Sequence, residues 1–290
     1  MNLALRSAAA AASVAIVALL GTGCATSAGS SSPTPSATPD PMTEICADPF
    51  VVTCERGGGF TVVVIADDAE DESVLEFAPA LFTAASASPD TVTLRRPADD
   101  ATTLDPEVSA PPRWEVSVEA ETDAAFEAAL SETLVVAAVP GTTGIVTIDG
   151  WPSVTVETLD EFDDVFSRVS STELFRDGGT YTLQSLDEQL RIVHVPTRTT
   201  DEAIHEIIDI ARSYPDAEVL LEATTSGPQY PKLYVSRLGS DQVEAVEARL
   251  RAPRLASADV DGFPLEFVLS SLDEQGTTSV SGTFGDVPAG

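Results

Sequence analysis

The sequence predicts an α+β fold, on three observations. Short runs rich in Val, Ile, Thr and aromatic residues recur from residue 60 onward, as strands do. Helical patterns fall between alternate pairs of these runs. In one, Ala203, Ile204, Ile207, Ile208 and Ala211 make a single apolar stripe. Two long segments also align with each other. WEVSVEAE then ETDAAFEAAL matches LRIVHVP then TTDEAIHEII, VTVETLDEFDDVF matches LYVSRLGSDQVEAV, and RDGGTYTLQS matches DVDGFPLEFVLSS. Asp123 to Asp201 spans 78 positions, Asp160 to Asp241 spans 81 and Gly179 to Gly262 spans 83. A near-constant offset is what tandem duplication leaves. Each copy reads β-α-β-β-α-β, the order of the ferredoxin-like split unit. The expectation is therefore tandem ferredoxin-like units, antiparallel sheets with helices on one face.

The elements follow in order. Residues 1–23 carry one charge, Arg6, ahead of the apolar run Ser7 to Leu20, which suits a signal peptide. The run is shorter than the roughly 20 residues of a comfortable membrane span. Residues 24–43 are rich in Ser, Thr and Pro and predict a disordered, semi-extended tether. Residues 44–112 hold a β-α-β half unit with strands Phe60 to Ala66 and Thr91 to Leu94, then an acidic, Pro-rich loop. The first repeat, 113–187, places strands at Trp114 to Glu119, Leu134 to Val139, Val154 to Glu157 and Thr180 to Leu183. The second, 188–275, places them at Leu190 to Val195, Glu218 to Ala223, Lys232 to Ser236 and Leu265 to Leu269. Thr158 with Glu161, and Thr199 with Glu202, have capping-box spacing. An alternative register pairs residues 60–97 with Trp114 to Val139 and shifts every boundary by half a repeat. Sequence leaves both open. Residues 276–290 read as a flexible tail.

Cys24 stands where the apolar run meets the tether, behind Gly21, Thr22 and Gly23. This resembles the lipobox of bacterial lipoproteins, where a signal peptidase cuts just before a cysteine that carries lipid. Gly23 matches the small residue before that cysteine. The usual Leu three places before it is Gly21 here, with Leu20 and Leu19 further out. The resemblance implies lipidation at Cys24, membrane attachment through that lipid and a body outside the cytoplasm. An ordinary secretory signal cut near Ala25 and an uncleaved anchor are the alternatives, and both also export the body. A single lysine, Lys232, among fifteen basic residues suits a high-GC bacterium of the actinobacterial kind.

The chain carries 47 acidic and 15 basic residues, a formal charge of −32. Such a surface repels nucleic acid and anionic headgroups. Basic peptides and cations are the favoured partners, although blocks of Asp and Glu also serve plain solubility. Cys46 and Cys54 are close enough in an oxidising compartment to form a disulfide around ADPFVVT. Their spacing matches no familiar metal or redox motif.

Catalytic patterns are missing. Two histidines, His194 and His205, cannot make a zinc site, which needs three or four converging ligands. There is no G-x-S-x-G elbow, S-x-x-K or phosphate loop. The acidic run DDAEDE at 67–72 has Glu72 where a calcium loop needs Gly. No metal or cofactor is expected. Trp151 and Pro152 lie in a turn-like segment that Tyr230 and Pro231 match in the second copy. An aromatic on a turn can anchor a partner. The expected function is a non-enzymatic, lipid-anchored envelope module binding a protein or peptide, with Trp151, Pro152, Tyr230 and Pro231 as the candidate surface. The alternatives are a small-ligand or cation receptor, and a hydrolase with dispersed carboxylates.

Overall fold

A computed structural model describes residues 40–98, 110–148, 151–176, 179–196, 198–223, 231–256, 262–273 and 276–286. The strands are β1 (Val51–Gly57), β2 (Phe60–Ile65), β3 (Thr91–Arg96), β4 (Trp114–Ser117), β5 (Thr142–Ile148) and β6 (Trp151–Val156). They continue with β7 (Tyr181–Ser185), β8 (Leu190–His194), β9 (Glu218–Glu222), β10 (Lys232–Leu238), β11 (Glu266–Asp273) and β12 (Gly276–Thr283). The helices are α1 (Met42–Cys46), α2 (Asp71–Ala87), α3 (Asp123–Ala137), α4 (Phe162–Val169), α5 (Glu173–Arg176), α6 (Asp201–Ser213) and α7 (Ser240–Leu250).

The α+β class holds, in the form of one continuous, open, mixed sheet whose twelve strands lie in chain order. Parallel pairs β2/β3, β4/β5, β6/β7, β8/β9 and β10/β11 each straddle a helical crossover. Antiparallel pairs join these units to one another. Separate antiparallel sheets with interleaved strands, the ferredoxin-like expectation, are not seen. The reason is topological: β-α-β-β-α-β describes equally a crossover that skips a strand and one whose two strands pair directly. Residues 60–96 and 114–148 each form a β-α-β unit.

Two runs change state. The expected strand Leu134 to Val139 instead continues α3 through Ala137, with Leu134, Val136 and Ala137 buried against the core; β5, unexpected from sequence, supplies the returning strand. Residues 276–283, expected as a loose tail, form β12 against β11.

The helices form one layer. Phe82 of α2 stacks on Phe126 of α3, and Leu174 of α5 donates its N–H to Glu132 of α3. Arg212 of α6 reaches Asp163 of α4, and Arg249 of α7 reaches Glu206 of α6. Strand residues alternate accordingly. Val63, Leu94, Val116, Ile145, Val154, Leu183, Ile192, Leu221, Val235 and Leu269 are buried beneath the helices. Their neighbours face the other way, as the two-residue period requires. Strand direction reverses between units while the helices keep to one side, so successive crossovers alternate in hand. The set therefore includes left-handed crossovers, which are rare elsewhere.

Candidate functional site

No helix lies on the opposite face of the sheet among the described residues, although Glu115, Thr182 and Val193 on that face are buried. Across its middle run Val64, Arg95, Glu115, Val146, Ser153, Thr182 and Val193, each paired with the next across the strands. Nearer the C-terminal end run Gln184, Arg191, Leu220, Tyr234 and Val268. Five of the exposed large apolar side chains, Phe60, Ile148, Trp151, Tyr234 and Leu272, belong to this face. Two basic residues on it are matched by carboxylates: Arg95 with Glu115 at 2.8 Å and Lys232 with Glu266 at 2.5 Å.

Trp151 opens β6 and pairs with Ile148. Its Nε1–H donates to Thr182 Oγ1 on β7 at 3.0 Å, so the indole lies along the open face while remaining 40% exposed. Pro152 and Pro231 are buried. Tyr230 and Cys24 lie outside the described residues. The structure therefore does not bring the two aromatic-Pro segments together as a described pair. Cys46 and Cys54 are bonded, with Cα atoms 5.7 Å apart.

Both histidines have structural partners. His194 ends β8 in the core, 4% exposed, with Nδ1 3.0 Å from Thr199 Oγ1. Tyr181 and Phe166 pack around it, and the Tyr181 hydroxyl meets Ser170 Oγ at 2.6 Å. Burial holds the His194 imidazole down to about 4 and pushes the Tyr181 phenol up to about 12. These shifts keep both groups neutral, and both are shut off from solvent. His205 Nδ1 is 2.7 Å from Asp163, which also takes Arg212, and its ring meets Phe166 edge-on. Asp163 thereby orients the His205 ring.

Three depressions lie among the described residues. One of about 550 Å³ lies beside the end of α2 and the ends of β3 and β4, with Asp90, Glu119 and Glu121 on its wall. Asp90 and Glu119 already accept from Thr61 and Thr91. A second, about 200 Å³, sits on the open face between Gln184, Arg191, Glu218 and Leu220. A third, about 110 Å³, adjoins Arg96, Arg113 and Trp114. Its guanidinium groups are consumed by the fold: Arg96 by Asp71 and the Ala69 carbonyl, Arg113 by the Ala137 and Thr142 carbonyls. Among the described residues no group of three potential ligands could hold a metal ion.

The two sheet edges differ. β1 is blunted by a register break between Val51 and Thr53, by Glu55 and Arg56, and by the disulfide to α1. β12, GTTSVSGT, has no charge, no proline and no break in register. Such devices are how natural sheets discourage added strands. Sequence reading passed over β12 because Gly and Ser dilute its strand signal. The usable cue was the set of β-branched residues Thr277, Thr278, Val280 and Thr283. No family model, curated protein or solved structure matches this chain.

Proposed function

We propose that this chain is a lipid-anchored interaction module on the outer side of a bacterial membrane. It has no catalytic role, and it binds a protein or peptide partner of basic character. One observation carries the reading: the helix layer covers one face of the sheet, and on the other face, which no described helix covers, Trp151 and Tyr234 are exposed. An exposed aromatic side chain on an otherwise highly charged surface can anchor a partner. The charge of −32 selects the partner, because its field attracts basic segments and repels acidic ones. The lipid at Cys24 rests on the lipobox resemblance and would hold the module at the surface where such a partner meets it.

The test is crosslinking in the native envelope, followed by mass spectrometry. A recurrent partner is expected, with its yield falling when Trp151→Ala and Tyr234→Ala are combined. An unchanged partner set in that double variant would remove the open face from the reading. Changing Cys24→Ala should shift the protein from the membrane fraction to the medium; unaltered membrane retention would remove the lipid.

A further inference from the structure

We propose that β12 is a docking edge that accepts an extended, basic segment of a partner protein as a thirteenth strand. This rests on the interaction-module reading and names the surface and the kind of partner. The argument begins from which backbone groups point outward. β11 and β12 pair with Glu266 opposite Thr283 and Asp273 opposite Gly276. The Phe284 N–H donates to the Leu265 carbonyl at 2.8 Å, which continues the same register. In an antiparallel ladder, pairs that exchange hydrogen bonds alternate with pairs that do not. Leu265/Phe284 is a bonded pair, so Phe267/Gly282, Leu269/Val280 and Ser271/Thr278 are bonded pairs as well. Thr277, Ser279 and Ser281 must then aim their N–H and C=O groups away from β11, toward the outer edge, which no strand covers among the described residues. The Ser281 carbonyl lies 3.4 Å from Arg251 Nη2, which leaves Ser279 as the centre of the edge.

The strand is also held in place. Gly282 sits so close to its neighbours that a Cβ there would lie 2.5 Å from Arg251 Nη2 and 2.6 Å from Phe267. Arg251 stacks 5.4 Å over the Phe267 ring and bonds Asp286. Val280 packs against the core. A preorganised strand spares an incoming segment part of the ordering cost of binding. Strand addition then gains affinity from main-chain hydrogen bonds and specificity from alternate side chains.

Charge chooses the occupant. A second copy brings another −32 toward the first, whereas a Lys- or Arg-bearing segment is drawn in. The opposite edge is unsuitable, because β1 has its register break, its charged pair and its disulfide.

The experiment uses a synthetic peptide of β12's length, 8 residues, alternating Val or Thr with Lys or Arg. Backbone hydrogen exchange of the full chain is followed with and without it. The expected result is slowed exchange at Thr277, Ser279 and Ser281, lost in a Ser279→Pro variant. Proline there deletes an outward N–H and spares the ladder to β11, so the fold should survive, as proline does on edge strands. Val280→Pro is the contrast: it removes an inward bond and should lower the melting temperature. No protection at β12 with saturating peptide overturns the inference. Protection on the open face instead, abolished by Trp151→Ala with Tyr234→Ala, overturns it while leaving the interaction module standing. A dimer that Ser279→Pro dissociates, with no peptide bound, replaces the basic segment by a second copy and also overturns it.

Discussion

His194 shows how a single side chain sets a stability profile. Its ordinary value is 6.5, and burial among Tyr181, Phe166 and Thr199 holds it down to about 4, although Asp201 pulls the other way. Between those values the unfolded chain binds a proton that the folded chain refuses. Stability therefore falls as pH drops through 6.5 and levels off below about 4. Going from pH 7 to pH 5 should cost about 2 kcal/mol through this group. Urea unfolding of wild type and His194→Gln at both pH values checks it: the variant should lose that part of the slope. Parallel slopes would mean that His194 is not desolvated. The residue scale was partly legible in sequence. His194 reads as a strand residue sharing a face with Ile192, and both are buried. Trp151 stood out by its neighbours, but its bond to Thr182 depends on which strand lies beside β6.

At the scale of elements, the start of α6 was readable to within a residue, whereas α4 is capped at Glu161, three residues past the Thr158 that the spacing suggested. Thr199 with Glu202 marked the start of α6, and the cap in the structure is Thr200, whose Oγ1 accepts from the Ala203 N–H at 3.2 Å. Thr199 instead bonds His194 and the Val195 carbonyl, a competing side-chain use that spacing does not reveal. Thr122 caps α3 in the same way through the Ala125 N–H. Thr122→Ala and Thr200→Ala should each lower unfolding free energy by about 1 kcal/mol. Lying on different helices, the two losses should add in chemical denaturation. The run LVVAAV shows the opposite case. Its β-branched residues read as a strand, yet Leu134 and Val136 serve the buried face of a helix already started at Asp123. A short apolar run does not declare its period, and the cap at Thr122, twelve residues before Leu134, was the better guide.

For the molecule as a whole, sequence disclosed the α+β class but not the strand order. Every strand pairs only with its neighbours in the chain, so stability should resemble a sum over units and their interfaces, as in repeat proteins. Damage should then stay local. The Cys46–Cys54 disulfide fastens α1 to β1 at one edge. Replacing both cysteines by serine should cost about 2–3 kcal/mol of unfolding free energy locally. Hydrogen exchange should quicken in α1, β1 and β2 while α6, α7 and β9 to β12 keep their protection. A uniform loss of protection would show that the sheet unfolds as one cooperative body instead.

Sequential strand order also sets a load path. The first described residues lead into β1, and β12 lies at the far edge, eleven strand spacings away. At about 4.8 Å per spacing that is roughly 50 Å of sheet, crossed at right angles to the strands. A pull between the N-terminus and a cargo on β12 would strain the ladders like the teeth of a zipper, one after another. Zippers open at low force and close again stepwise. The protein would then act as an extensible leash, paying out one β-α-β unit at a time before its hold at either end gives way.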